Sequence, residues 1–95
     1  MSETNKNSES DWSPERVLAK ITNPKQMFLF LKDLLTPAEL EEIKRRLQII
    51  KFLKQGLPQR EVAKKLKIAI ATITRGSRVL KNPNGGFNKV LKSLK

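Results

Sequence analysis

Ninety-five residues with a formal net charge of +11 and neither cysteine nor histidine exclude disulfides and the ordinary thiolate or imidazole metal sites. A chain this short makes one domain by size and buries only about two-thirds of its unfolded surface, which leaves room for further burial against a partner. Its longest apolar run, Met27 to Leu31, falls far short of the roughly 20 residues that cross a bilayer, and the polar start, Met1 to Trp12, shows no secretory signal; the expected location is the cytoplasm.

The charge is unevenly spread. Residues 44–95 carry fifteen Lys and Arg against one acid, Glu61, a net +14, whereas residues 1–43 carry five basic and eight acidic side chains, a net −3. Such asymmetry implies a polyanionic partner for the C-terminal part. The apolar stripes there lack the interfacial aromatics of a membrane-surface helix, so no membrane partner is expected.

Residues 1–12 are rich in Ser, Asn and Glu, cannot bury enough surface to offset their ordering entropy, and are expected to form a disordered polar arm ahead of a single helical domain, 13–95. Trp12, the one tryptophan, is expected to pack at the start of the first helix. Ser13-Pro14 reads as an N-cap with proline in the first turn, opening a helix to about Ile21 with Val17, Leu18 and Ile21 on its apolar side. Asn23-Pro24 repeats that signal and predicts a second helix to about Leu34. Met27, Phe28, Phe30, Leu31, Leu34 and Leu35 cover more than half its circumference, too much for one helix on a monomer surface. Part of that face is expected to meet a second subunit, and a stripe of this kind reads as packing rather than as a cofactor box.

Thr36-Pro37-Ala38-Glu39 predicts a long third helix with a Thr cap and a capping box, ending near Gln55 before Gly56. Leu40, Ile43, Leu47, Ile50 and the Lys54 position alternate by three and four, and Ile49, Phe52 and Leu53 widen the seam, as in a dimer core. Glu39, Glu41 and Glu42 suit its positive end, and Lys51 and Lys54 its negative end.

Gln59 to Ser77 then reads as two short helices joined by a tight turn, the spacing of a helix-turn-helix. Val62, Ala63 and Leu66 share one side of the first, Lys67 and Ile68 interrupt the pattern, and the second starts near Ala69. Small Ala63 permits close packing, Ile68 plugs the turn and Ile73 faces inward, leaving Thr72, Thr74 and Arg75 outside. Asn82 to Gly86 is a loop by composition, and Phe87, Val90, Leu91 and Leu94 predict a last amphipathic helix. With no strand alternation the fold class is all-α, about six helices.

Catalysis finds no apparatus: His, Cys and Tyr are absent, Glu41 and Glu42 are explained by the helix dipole, and no glycine loop cradles a phosphate. No catalytic or metal-ligating residue is assigned, and the chain is not expected to be an enzyme. The DNA-binding candidates are Gln59, Arg60, Lys64, Lys65, Ala69, Ile70, Ala71, Thr72, Thr74, Arg75 and Arg78. Lys64 and Lys65 neutralise phosphates without reading sequence, whereas Ile70, Ala71 and Thr72 occupy the first turn of the second helix, where recognition helices meet base edges. Ile70 or Ala71 suits a thymine methyl, and Thr72 a base or a water.

Beyond the generic motif, LLTPAELEEIKRRLQIIKFLKQG followed by QRE and IATITRGS closely resembles the Trp repressor family, from about Leu34 to Lys81. The resemblance implies an intertwined homodimer that represses operators on double-stranded DNA when free L-tryptophan is bound as corepressor. It implies that Arg46 and Arg75 sandwich the indole, with Arg75 also reaching the carboxylate, that Gly76 leaves room for the ring, and that Leu35 and Thr36 come from the other subunit. Thr72 lies where the pocket meets the DNA face. The ligand then props the two recognition helices one DNA turn apart, roughly 34 Å. An arginine fork suits both tasks, since it binds carboxylates and stacks on aromatic planes.

Several positions depart from the family pattern. Val79 stands where the family has a serine near the ligand amino group, and Asp33 where it has an apolar pocket residue. Ala63 replaces a DNA-facing lysine, Arg78 an asparagine, and the GLPQ loop is one residue shorter. Lys67 takes a turn position usually held by glycine, at a cost of roughly 1 kcal/mol for a left-handed residue with a Cβ. The expected function is a DNA-binding repressor activated by L-tryptophan or a similar amino acid; the alternatives are a related regulator that binds DNA without a ligand, and a helical protein-interaction module.

Overall fold

The computed structural model describes residues 11–92; the expected disorder of the N-terminal arm and the place of Leu94 on the last helix lie largely or wholly outside them. Among the described residues the chain forms six α-helices, α1 (Pro14–Ala19), α2 (Pro24–Leu34), α3 (Pro37–Lys54), α4 (Gln59–Leu66), α5 (Ile70–Ser77) and α6 (Gly86–Leu91), with a 3₁₀ turn at Arg78–Lys81 and no strand. This is the all-α architecture that the periodicity predicts. The chain divides into two compact units, Met1–Leu40 and Glu41–Lys95, with the boundary inside α3.

In the first unit the helix starts follow local chemistry. Asn23 Oδ1 accepts from the backbone N–H groups of Lys25 and Gln26 at 2.8 and 3.1 Å, and Pro24 supplies the first helical residue. Thr36 and Glu39 form the expected capping box: Glu39 N–H donates to Thr36 Oγ1 at 3.1 Å and Thr36 N–H to Glu39 Oε1 at 2.9 Å. The start of α1 departs from expectation. Ser13 occupies the N-cap position but its hydroxyl makes no capping bond; instead Asp11 accepts the Ser13 N–H at 3.1 Å and pairs with Arg16 at 2.7 Å. Ser13's hydrogen bonding, the backbone N–H foremost, together with the Arg16 charge, holds the Asp11 carboxyl below its ordinary value.

Two further corrections concern α1. It ends at Ala19 rather than near Ile21, because Lys20 and Ile21 donate to Val17 and Leu18 in tighter i to i+3 turns. Trp12 does not pack at its start: the indole is 79% exposed, and this six-residue helix buries none of its own residues. The apolar circumference of α2 is only partly covered: Met27, Phe30 and Leu31 are half-buried, whereas Phe28 and Leu34, and Leu29 beside them, are exposed, Leu29 at 61% and Leu34 at 57%.

The second unit is built around Ile49, Val62 and Ile73, which are buried and surrounded by Phe52, Leu53, Leu57, Leu66 and Ile68. Val62 and Ile73 are wholly buried, each contributing about 1.5–3 kcal/mol of transfer free energy. Ile73 therefore faces inward as its spacing predicts. α3 stops where Gly56 takes φ 95°, so that Gly56 N–H reaches Leu53 O and Leu57 N–H reaches Phe52 O, satisfying carbonyls of the last turn. The same device closes α4 with a costlier residue: Lys67 sits at φ 58°, ψ 47°, and Ile68 N–H returns to Ala63 O at 3.1 Å. The left-handed lysine expected from the turn is present, and it sets the angle at which α5 leaves.

A side-chain bridge ties the two short helices. Thr74 Oγ1 donates to Gln59 Oε1 at 2.8 Å, and Gln59 Nε2 donates to Ser77 Oγ at 3.3 Å. Beyond α5, the 3₁₀ turn packs against α6, and Asn88 Nδ2 donates to Leu80 O and Asn82 O.

Candidate functional site

Within the second unit α5 has two kinds of surface. Its buried side carries Ile73, and the flank toward its C-terminal end borders a cavity of about 290 Å³. The apolar wall comes from Ile49 and Ile50 on α3, Val79 on the 3₁₀ turn and Phe87 on α6. At Gly76 the helix comes close to α3: an added Cβ would stand 3.3 Å from Ile49 Cγ2. A glycine here keeps both the approach and the cavity.

The polar wall is mostly cationic. Arg45 and Arg46 come from α3 and Arg75 from α5, with the half-buried Thr72 one turn before Arg75. Among the described residues Glu42 is the one acid in the lining. Its Oε1 accepts from Arg45 Nη1 at 3.1 Å and its Oε2 from Arg46 Nε at 3.4 Å. Arg75 has no ion-pair partner among the described residues, so its fork remains available to an anion. The lining sets guanidinium groups, which can pair with carboxylates, beside an apolar wall.

The structure thus brings together four of the six residues assigned to a ligand: Arg46, Thr72, Arg75 and Gly76. Leu35 and Thr36, assigned to a partner subunit, belong to the unit of residues 1–40, where Thr36 caps α3. Of the DNA candidates, Arg60, Lys64, Lys65, Ala69, Ile70, Ala71, Thr74, Arg75 and Arg78 are exposed. Thr72 is half-buried, and Gln59 is half-buried with its amide engaged by Thr74 and Ser77, so both ends of that amide already have partners. Lys65 Nζ lies 5.7 Å from the centre of the Phe52 ring, which fixes its stem against the core while its charge stays in water.

The pattern of the family described as Trp repressor protein matches residues 15–95. The chain belongs to the Trp repressor family. That family is one of transcriptional regulators, and the helix-turn-helix of α4 and α5 lies inside the matched residues. Similar proteins named Trp operon repressor homolog occur in Chlamydia caviae, 37% identical over 97% of this chain and 90% of the relative, and in Vibrio campbellii, 37% identical over 88% and 86%. Another, in Actinobacillus succinogenes, is 49% identical over a shorter stretch, 61% of this chain and 58% of the relative. No solved structure matched the chain.

Membership in the Trp repressor family rests on the whole helical region, yet several lining residues carry no local signal. Glu42 reads as a dipole-compensating acid at the start of α3, and its role in the pocket emerges only with the cavity. The one hint is its i, i+4 relation to Arg46, which puts both on one helix face. Arg45, Ile49 and Phe87 are visible as a basic pair and as core positions, and nothing in their spacing distinguishes core from pocket wall. Among the described residues no helix is long and apolar enough to cross a membrane.

Proposed function

We propose that this chain is a homodimeric, DNA-binding transcriptional repressor whose operator affinity is raised by a small amino acid, L-tryptophan or a close relative, acting in the cytoplasm. The observation that carries the reading is the cavity flanked by Arg46, Arg75, Thr72 and Gly76 on the helix whose exposed first turn carries Ile70 and Ala71. One helix is then shared by two ligands. A flat ring held against the guanidinium planes, with its carboxylate on Arg75, braces α5 against α3 and fixes the direction in which the first turn of α5 enters a major groove. Arg60, Lys64, Lys65 and Arg78 supply phosphate contacts, which set affinity and salt dependence, while Ile70, Ala71 and Thr72 meet the bases.

Coupling between the two sites follows if the braced orientation binds DNA better than the unbraced one, and it is reciprocal: operator DNA must raise ligand affinity by the same factor. The uncovered apolar faces, Leu29 and Leu34 on α2 and Leu47 on α3, support the homodimer. Calorimetric titration with L-tryptophan, followed by gel shifts on duplex DNA with and without it, tests the reading. Saturable binding and a retarded band strengthened by tryptophan are expected; no heat at millimolar tryptophan removes the corepressor role.

A second reading, DNA binding with no ligand, draws support from Glu42. Because its carboxylate already serves Arg45 and Arg46, those guanidinium groups have a counter-ion built into the chain. Retardation of equal strength with and without tryptophan is the outcome that favours it.

A further inference from the structure

The same Glu42 also bears on which ligand the pocket takes. An ionised carboxylate offers about four lone-pair positions, and the contacts to Arg45 and Arg46 use one on each oxygen. The side chain is 46% exposed, so further acceptor capacity is open to a donor entering the cavity. The ion pairs to Arg45 at 3.1 Å and Arg46 at 3.4 Å hold it in position. Among the described residues no other carboxylate belongs to the lining, whose remaining side chains are apolar, cationic or the Thr72 hydroxyl.

A carboxylate and an ammonium group on one small ligand therefore find different partners. Arg75, with no ion-pair partner among the described residues, suits the carboxylate. The ammonium has a single charged acceptor, Glu42. We propose that Glu42 is a specificity-determining residue that selects zwitterionic amino acids over aromatic acids lacking the amine, by accepting from the ligand's α-ammonium group. The proposal rests on the reading of this cavity as an amino-acid site. Its converse is equally physical: without the Glu42 charge, an ammonium enters a site holding three guanidinium groups and no acid, whereas an amine-free carboxylate gains.

The test compares L-tryptophan with indole-3-propionate, which keeps the ring and carboxylate but lacks the amine, by calorimetric titration of the full chain and of Glu42→Gln. The unsubstituted chain is expected to prefer tryptophan by at least about tenfold, the factor of one charge-assisted hydrogen bond. Glu42→Gln is expected to lose that preference and to bind indole-3-propionate at least as tightly as before. A preference that survives in Glu42→Gln overturns the proposal, as does an unsubstituted chain that binds the two ligands alike. If the unsubstituted chain binds neither, the amino-acid reading of the cavity falls and the proposal falls with it; binding of both without discrimination strikes only the role of Glu42. A thermal melt followed by circular dichroism reports whether Glu42→Gln folds. If it does not, Glu42→Asp, which keeps the charge on a shorter arm, is expected to narrow the preference several-fold, and an unchanged ratio overturns the proposal.

Discussion

At Gly76 two physical effects oppose each other. Alanine is favoured over glycine in a helix by about 1 kcal/mol, but its Cβ would lie 3.3 Å from the Cγ2 of Ile49, a side chain only 3% exposed and hemmed in by the core. Overpacking of this kind costs about 1–3 kcal/mol. Gly76→Ala is therefore expected to lower the unfolding free energy by no more than about 2 kcal/mol in a denaturant titration. Its effect on binding is expected to be larger than its effect on stability, because the added methyl narrows the strip between α5 and α3 that borders the cavity; tryptophan titration of the folded variant reads this. Glu42 differs from Gly76 in kind. Its carboxylate is engaged by Arg45 and Arg46, and the role proposed for it lies in the charge it brings to a cationic pocket.

Among the elements, the α4–α5 turn and the start of α1 each hold a local cost or a local charge that can be changed alone. Lys67 adopts φ 58°, where a side chain with a Cβ is disfavoured by about 1–2 kcal/mol and glycine is not. Glycine also gives the unfolded chain more freedom, which returns part of the gain. Lys67→Gly is expected to raise stability by up to about 1 kcal/mol, seen as a higher denaturation midpoint with an unchanged slope. A lowered midpoint would mean that the lysine chain packs favourably there. At α1 the Asp11 carboxyl lies below its ordinary value of 3.8, first because it accepts the Ser13 N–H. A carboxyl depressed in the folded state adds stability at pH values above its unfolded pKa and loses it as pH falls through the lower folded value. The start of α1 is therefore expected to loosen only on strong acidification, and nuclear magnetic resonance of Asp11 and its neighbours reads the transition. Asp11→Asn is expected to remove that pH dependence at Arg16 and Ser13.

Across the whole molecule, charge and uncovered apolar surface make separable demands. The +14 on residues 44–95 calls for a polyanion, and in DNA binding each phosphate contact contributes about 0.9 to the slope of log affinity against log salt. Lys64→Ala is expected to reduce that slope by about 1 while weakening all sequences alike, as titrations at several salt concentrations would show. The exposed leucines of α2 and α3, Leu47 being 52% exposed, call for a second apolar surface. If two chains meet there, the melting temperature rises with protein concentration and sedimentation reports a dimer; a concentration-independent melt of a monomer would remove the homodimer from the proposal. Much of this was readable in the linear chain because its causes are local. A cap needs only a side chain and a backbone N–H three positions away, as at Thr36 and Glu39, and a helix end needs only a residue such as Gly56 that tolerates a left-handed turn. Arg46, Arg75 and Gly76 were legible as a set through the family motif, not through spacing alone. What required packed helices was every relation across distance: the exposure of Trp12, the bond from Thr74 to Gln59 fifteen positions earlier, and a cavity that gathers Glu42, Thr72 and Phe87. Local propensity sets where each helix begins and stops, but which side chains meet depends on the angles at which helices cross, and those are fixed only when the core of Ile49, Val62 and Ile73 closes.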